Sequence, residues 1–104
     1  MPRARKAPGE PNGINAEARR WYREVVEQYR MRTAGELEVL GQAALSLTRI
    51  AECQAAIAEQ GLFTQGARGV VAHPAARLEL QHRAQLLQAS RQLGISAPIE
   101  GSEK

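Results

Sequence analysis

The chain has 104 residues and a formal net charge of +3, and its single cysteine excludes a disulfide within the chain. It contains no aspartate, no Cys and His cluster with zinc-site spacing, and no apolar run near the roughly 20 residues that cross a bilayer. We therefore expect no metal, no cofactor and no membrane span. The glutamates and serines form no catalytic constellation, so we do not expect an enzyme. Because no apolar stretch follows the basic N-terminal residues, we expect no secretory signal and a cytoplasmic protein.

The positive charge lies in the N-terminal third. Residues 1–32 hold eight Lys or Arg and four Glu, whereas residues 33–104 hold six and seven. This asymmetry favours an anionic partner, most often nucleic acid. Residues 1–13 are rich in proline and glycine and predict a disordered basic arm. Its Arg3, Arg5 and Lys6 are candidate contacts to DNA phosphates, although a solubilising tail is the alternative.

The first predicted helix runs from Ala16 to about Met31 after Asn15, a good N-cap residue. At 100° per residue, one side carries Ala18, Trp21, Tyr22, Val25, Val26 and Tyr29. The opposite side carries Arg19, Arg23 and Arg30, flanked by Arg20. We expect the aromatic side to dock on the rest of the fold and the arginines to contact phosphates. A solvated face, with Arg20 pairing with Glu24 and Arg23 with Glu27, is the alternative.

A second, long helix is predicted from Ala34 to Gln60. Thr33 and Glu36 have the spacing of a capping box, which marks its start. Gly61 favours a left-handed C-terminal cap, with Leu62 folding back on Ile57. Apolar residues at steps of three and four form two neighbouring stripes on this helix. Cys53 lies inside it and is interpreted as a small buried hydrophobe.

Between residues 62 and 73, two short β-prone pieces flank a glycine-rich tip and suggest a small hairpin. His73 is expected to cap a third helix or anchor this hairpin. Pro74 opens that helix, because the first helical position does not need an N–H donor, and Gly94 ends it after Leu93. His82 lies on the apolar stripe of this helix and is expected to be a core or interface residue.

These elements predict an all-α fold, with the N-terminal amphipathic helix docked on a long antiparallel helical hairpin. We assign 14–97 to one helical domain for oligomerisation and DNA binding, and 98–104 to a polar tail. The apolar bands are wider than one antiparallel neighbour covers, so we expect a further partner, either the N-terminal helix or other copies of the chain. Because so small a domain needs added stabilisation, we predict oligomerisation. Core and subunit contacts are expected from Leu37, Leu40, Leu47, Ile50, Ile57, Leu78, Leu86 and Leu93.

Several of these pieces occur together, in order, over about residues 15–98. They are Trp21, the Thr33 cap, Gly61, His73-Pro74 and the closing run Leu93-Gly94-Ile95-Ser96-Ala97-Pro98. In this order and spacing they resemble the small terminase subunits of tailed double-stranded-DNA bacteriophages. The resemblance implies a non-catalytic subunit of a genome-packaging motor, which forms a ring, binds viral DNA and regulates the ATPase and nuclease of the large subunit. It also implies a place in the cytoplasm of the infected bacterial host.

Two other functions fit parts of the pattern. The break at residues 32–35 could be the turn of a helix-turn-helix regulator, although the helix that follows is long and apolar for a recognition helix. A structural helical adaptor that does not bind DNA is the other alternative.

Overall fold

The computed structural model describes residues 9–66 and 69–98. The described elements, in chain order, are helix α1 (Ala16–Tyr29), helix α2 (Ala34–Gln60), strand β1 (Phe63–Gly66), strand β2 (Gly69–Ala72) and helix α3 (Pro74–Leu93). This mostly helical content confirms the all-α class, and the limits of α2 and α3 are the predicted ones. Arg3, Arg5 and Lys6, and the tail from residue 99 onward, lie outside the described residues.

The helices begin where side chains satisfy backbone N–H groups that have no partner in the first turn. The Asn15 Oδ1 accepts from the N–H of Ala18 at 2.7 Å at the start of α1. Thr33 and Glu36 form the predicted capping box at the start of α2. At the start of α3, His73 Nδ1 accepts from the N–H of Ala75 at 2.9 Å, so His73 is the N-cap of this helix.

Two helix ends differ from the predictions. Helix α1 stops at Tyr29, because Arg30 adopts a left-handed conformation with φ 53° and its N–H donates to the carbonyl of Val26. Gly61 has φ 88° and ψ 152°, so the predicted left-handed helical cap is wrong. Leu62 is 47% exposed, and its carbonyl accepts from the N–H of His73 at 2.6 Å. That bond closes the base of the strand pair.

Strands β1 and β2 pair antiparallel, with Phe63 opposite Ala72 and Gly66 opposite Gly69. Side chains alternate between the two faces of a strand pair, so Phe63 and Val70 share one face and Val71 lies on the other. Among the described residues the sheet has two strands only, which leaves both outer edges unpaired.

All three helices contribute to one hydrophobic core. Tyr22 of α1, Leu40 of α2 and Leu86 of α3 are its largest fully buried side chains. Helix α2 lies at the centre and contacts both other helices. Its buried face includes the small residues Gly41 and Ala44, which let neighbouring backbone approach closely. No helix in the described part of the chain has both the length and the hydropathy that a membrane span requires.

The residues predicted for core and subunit contacts differ in how far the fold buries them. Leu40, Leu47, Ile50 and Leu86 belong to the buried core, and Leu37 and Leu93 pack against it. Ile57 is half-buried, whereas Leu78 is exposed. Cys53 is buried, as predicted. The apolar surface that stays uncovered is therefore concentrated where α3 begins.

The segment 9–13 differs from the disordered arm predicted for residues 1–13. Glu10 is buried, and the backbone on either side of it lies across α2. A Cβ atom on Gly41 would lie 3.4 Å from the carbonyl oxygen of Gly9 and 3.5 Å from the Pro11 ring. This segment, here called the N-terminal strap (residues 9–13), therefore lies against the helix at Gly41.

Candidate nucleic-acid interface

The position of α1 is fixed by contacts at its first residues. The N–H of Asn15 donates to Thr48 Oγ1 of α2 at 3.1 Å, and the Thr48 hydroxyl donates to the carbonyl of Ala44 at 3.1 Å. Ile14, immediately before the cap, is buried in the core. A polar bond and an apolar contact therefore join the start of α1 to the middle of α2.

The apolar side of α1 faces the core, as its periodicity predicts. Ala18, Tyr22 and Val25 are buried, and Trp21 and Val26 are partly buried against the core. Tyr29 is the exception among the residues assigned to this side, since 44% of it is exposed. With this side docked, the arginines of α1 lie on the outer surface.

Two of those arginines share one carboxylate. Arg19 Nε donates to Glu10 Oε2 at 3.1 Å, and Arg23 Nε donates to Glu10 Oε1 at 2.9 Å. The Glu10 side chain is only 1% exposed, whereas those of Arg19 and Arg23 are 43% and 40% exposed. The arginines therefore cover the carboxylate and keep part of their own surface in water. Among the described residues, no ion pair joins Arg20 to Glu24 or Arg23 to Glu27 as the alternative interpretation expected.

The ring of Tyr22 lies beneath this ion-pair cluster. Burial raises the pKa of the Tyr22 hydroxyl above its ordinary value, and the negative charge of Glu10 raises it further. A Cβ atom on Gly9 would lie 2.7 Å from the Tyr22 oxygen, so the strap approaches this hydroxyl closely. The cluster of Glu10, Arg19 and Arg23 thus lies between the core and the solvent.

A shallow depression of about 290 Å³ runs along the outer side of α1. It is lined by Ala16, Arg19, Arg20, Arg23, Glu24 and Glu27. Three guanidinium groups and two carboxylates meet there, and Glu10 lies behind two of the guanidiniums. Guanidinium groups bind phosphate oxygens well, but the net charge of this surface is close to zero while Glu10 remains in place.

The predicted DNA-binding residues are only partly brought together. Arg19, Arg20 and Arg23 lie side by side on α1, whereas Arg30 lies beyond the end of the helix and is exposed. Its alignment with Arg19 and Arg23 stays a prediction, because Arg30 is the C-cap residue that follows the last helical residue, Tyr29. Sequence reasoning also missed Glu10. The sequence offers one signal for this residue: Glu10 is the first acidic residue of the chain and precedes two arginines that are spaced four residues apart.

A second exposed surface surrounds the strand pair. It is apolar, and we call it the hairpin patch. Its members are Phe63 and Val70. Leu62, Val71, Leu78 and Leu80 are exposed as well, but Val71 lies on the other face of the strand pair, and Leu78 and Leu80 lie on different sides of α3. Phe63 is 62% exposed and Val70 is 67% exposed, and both lie on the same face of the strand pair. An exposed group of large apolar side chains commonly marks a protein–protein contact.

A groove of about 550 Å³ separates the outer sides of α2 and α3. Its polar side chains include Ser46, His82 and Gln85, and the Gln85 Oε1 accepts from the Ser46 hydroxyl at 3.4 Å. His82 therefore lies half-buried at the side of the groove and outside the buried core, and its alternative place at a subunit interface stays a prediction. Burial raises the pKa of the Cys53 thiol, which disfavours the reactive thiolate. No group of three His, Cys, Asp or Glu with metal-binding geometry occurs among the described residues.

No family model, no curated protein and no solved structure significantly matches this chain.

Proposed function

We propose that this chain is the non-catalytic DNA-binding subunit of a phage genome-packaging motor, of the kind that the small terminase subunits represent. In this proposal it assembles with copies of itself as a ring, binds viral double-stranded DNA and regulates the large motor subunit in the cytoplasm of the infected host. The observation that carries the proposal is the separation of two surfaces, the arginines of α1 and the hairpin patch.

The arrangement of the helices supports this separation. Ser46 of α2 bonds to Gln85 of α3, and Gln54 of α2 bonds to Glu79 of α3. Because the α3 partner number falls as the α2 number rises, the two helices run antiparallel, which supports the predicted hairpin with α1 docked on it. Helix α2 has 27 residues and is about 40 Å long. The arginines lie near its first half, and the hairpin patch follows its last residue.

The DNA-binding part of the proposal rests on Arg19, Arg20 and Arg23, which share one accessible surface of α1. Arginine recognises phosphate through its planar fork of N–H donors, so such a row favours the DNA backbone over base edges. We therefore propose binding that depends strongly on salt and weakly on sequence. The rival in which α2 is a recognition helix has less support, because nine residues of α2 are buried.

The oligomeric part of the proposal rests on the hairpin patch. A two-stranded hairpin is marginally stable alone, and its apolar side chains gain most when a neighbour covers them. A second copy of the chain is the partner that the resemblance to ring-forming subunits supports. In this assignment, residues 14–97 form the domain for assembly and DNA binding.

The test is a mobility shift on double-stranded DNA of random sequence, repeated over a range of salt concentrations. Wild-type protein should bind at low salt, and Arg19→Ala with Arg23→Ala should weaken binding and flatten the salt slope by roughly one to two units. The matched control is Arg49→Ala with Arg83→Ala, which also removes two exposed or partly exposed arginines from ion pairs, but on α2 and α3.

Circular dichroism should verify that both double variants remain helical. An equal loss of binding in both would count against an interface on α1. Folded, assembled wild-type protein that gives no shift at low salt would support the adaptor without DNA binding.

A further inference from the structure

The ion-pair cluster of α1 has an unusual distribution of exposure. The Glu10 carboxylate is 1% exposed, whereas each arginine that holds it keeps about two fifths of its side chain in water. Both carboxylate oxygens bond to an arginine Nε, and Arg23 Nη2 also donates to Oε2 at 3.4 Å. The negative charge is thus enclosed by the chain, while the positive groups remain accessible from outside.

We propose that Glu10 is an internal competitor for DNA phosphate at Arg19 and Arg23, so that DNA binding displaces the N-terminal strap. This inference rests on the proposed function, because it takes the DNA backbone as the external ligand. The class of ligand is a phosphodiester anion, which carries one negative charge and accepts hydrogen bonds through two oxygens.

Competition follows from the donors that the carboxylate uses. An arginine presents Nε and a terminal nitrogen together when it grips a carboxylate or a phosphate with two hydrogen bonds. Glu10 takes the Nε of both Arg19 and Arg23, so while Glu10 remains bound each arginine can meet a phosphate only through its terminal nitrogens, with its charge already partly neutralised by the carboxylate. Displacement returns the carboxylate to water and makes both arginines available to the backbone.

The anchoring of the start of α1 to the core does not depend on the strap. Gly13 has φ 80° and open space around its Cα, whereas Ile14 is buried and Asn15 bonds to Thr48. The firm attachment of the chain to the core therefore begins immediately after Gly13. Gly9 and Pro11, on the two sides of Glu10, lie against α2 at Leu37 and Gly41, and Gly9 also lies close to the Tyr22 hydroxyl.

The first experiment compares Glu10→Gln with the wild-type chain by fluorescence anisotropy on labelled random-sequence DNA. The matched control is Glu17→Gln, which removes one negative charge from an exposed position on α1, the helix that carries both arginines. Glu10→Gln should raise the affinity at low salt by roughly tenfold and leave the salt slope close to that of the wild-type chain, because both arginines contact phosphate in either complex and only the competing carboxylate is removed. Glu17→Gln should raise it by no more than about threefold, with little change of slope.

A second variant separates competition from a simple change of charge. Gly41→Val adds two methyl groups to a Cβ atom that would already touch Gly9 and Pro11, and should lift the strap from α2 with no change of charge. We expect a gain of affinity in the same direction as that of Glu10→Gln. The gain should disappear when Arg19→Gln and Arg23→Gln are added. Circular dichroism checks that each variant is folded.

Hydrogen exchange gives a direct readout of the strap. Addition of DNA to the wild-type chain should speed exchange at residues 10–13, while the amides of α1 become no faster. Slower exchange at residues 10–13 on DNA binding would overturn the displacement.

The outcomes distinguish the two proposals. If the wild-type chain binds DNA through Arg19 and Arg23 but Glu10→Gln behaves like Glu17→Gln, the competition is rejected and the DNA-binding function stands. If no folded variant binds DNA at low salt, both are rejected.

Discussion

The α1 surface (Arg19, Arg20 and Arg23) and the hairpin patch lie towards opposite ends of α2 and differ in whether the protomer supplies a partner for them. On α1, the chain supplies its own partner, because Glu10 fills the space between Arg19 and Arg23. At the hairpin patch, Phe63 and Val70 keep more than half of their surface in water, and nothing in the described chain covers them. The charged surface is thus satisfied within the protomer, whereas the apolar surface is not.

This difference indicates how each surface would change on binding. A partner of the α1 surface must replace an existing ion pair, so its gain is a difference between two similar interactions. A partner of the hairpin patch removes apolar surface from water and displaces no protein group, so the whole gain of burial contributes. We therefore expect assembly through the patch to be the more stable interaction and DNA binding to be the more adjustable one.

The largest expected effect removes the support that both surfaces share. Leu86→Ala should lower the free energy of unfolding by about 2–5 kcal/mol, because Leu86 is fully buried in the core that all three helices build. Urea denaturation followed by Trp21 fluorescence and by circular dichroism should show one coincident transition. Two separated transitions would show that the α1 end and the hairpin end are independent. The control is Leu80→Ala, which is exposed and should change stability by no more than about 0.5 kcal/mol.

The next effect is confined to the hairpin patch. Phe63→Ser with Val70→Ser should weaken self-association by about 2 kcal/mol or more, because two large apolar side chains no longer leave water. Protomer stability should change little, since both side chains are mostly exposed in the protomer. Analytical ultracentrifugation at micromolar concentration measures the shift towards monomer. Tyr29→Ser, which alters an exposed aromatic residue at the end of α1, is the control and should leave assembly intact. A wild-type chain that is already a stable monomer would contradict the patch as a subunit contact.

A smaller effect concerns the start of α2, which belongs to neither surface. Thr33→Ala removes a capping box and should cost about 1 kcal/mol of stability at neutral pH. Hydrogen bonds from Thr33, and from the backbone of Arg32, lower the pKa of Glu36 below its ordinary value of 4.5. Because the folded pKa is lowered, this carboxylate stabilises the fold above that ordinary value, and its contribution is lost as the pH falls through the folded value. Urea midpoints of wild type and variant should therefore approach each other in acid. If the difference between the two urea midpoints stayed constant as the pH was lowered, the Glu36 carboxylate would not contribute to the stability of the cap.

The smallest effect appears only at alkaline pH and only at the α1 end. The folded pKa of Tyr22 is raised by burial and by Glu10, so its contribution to stability is complete below the ordinary value of 10.0 and is lost as the pH rises through the folded value. Urea midpoints of the wild-type chain should fall in this range, and those of Tyr22→Phe should fall less. Ultraviolet absorbance at the tyrosinate band follows the ionisation directly. If the urea midpoints of the two proteins fell equally at alkaline pH, ionisation of Tyr22 would not be the cause of the lost stability.

The helices were predictable because their signals are local. Asn15, Thr33 and Pro74 stand at the starts of helices, and the apolar periodicity of α1 predicts the side that faces the core. The two errors at helix ends are also local in origin. Arg30 leaves the helix in a left-handed conformation that few residues other than glycine adopt, so no pattern indicated it.

The buried position of Glu10 could not be predicted in the same way. It depends on a contact between the strap and α2 at Gly41, which only the folded arrangement provides. The exposure of Leu78 has a similar cause, because its periodicity matches that of the buried Leu86 while its place near the strand pair leaves it uncovered. Periodicity predicts a face of a helix, but the packing of the other elements decides which residues of that face are covered.

The strand pair carries a risk that follows from its two unpaired outer edges. Natural sheets commonly protect such edges with charged side chains, prolines or bulges, which prevent further strands from adding. The strand residues of β1 and β2 include no charged residue and no proline. A protomer separated from its partners would therefore present a template for uncontrolled strand addition, and variants that weaken assembly should be more prone to aggregation than the assembled protein.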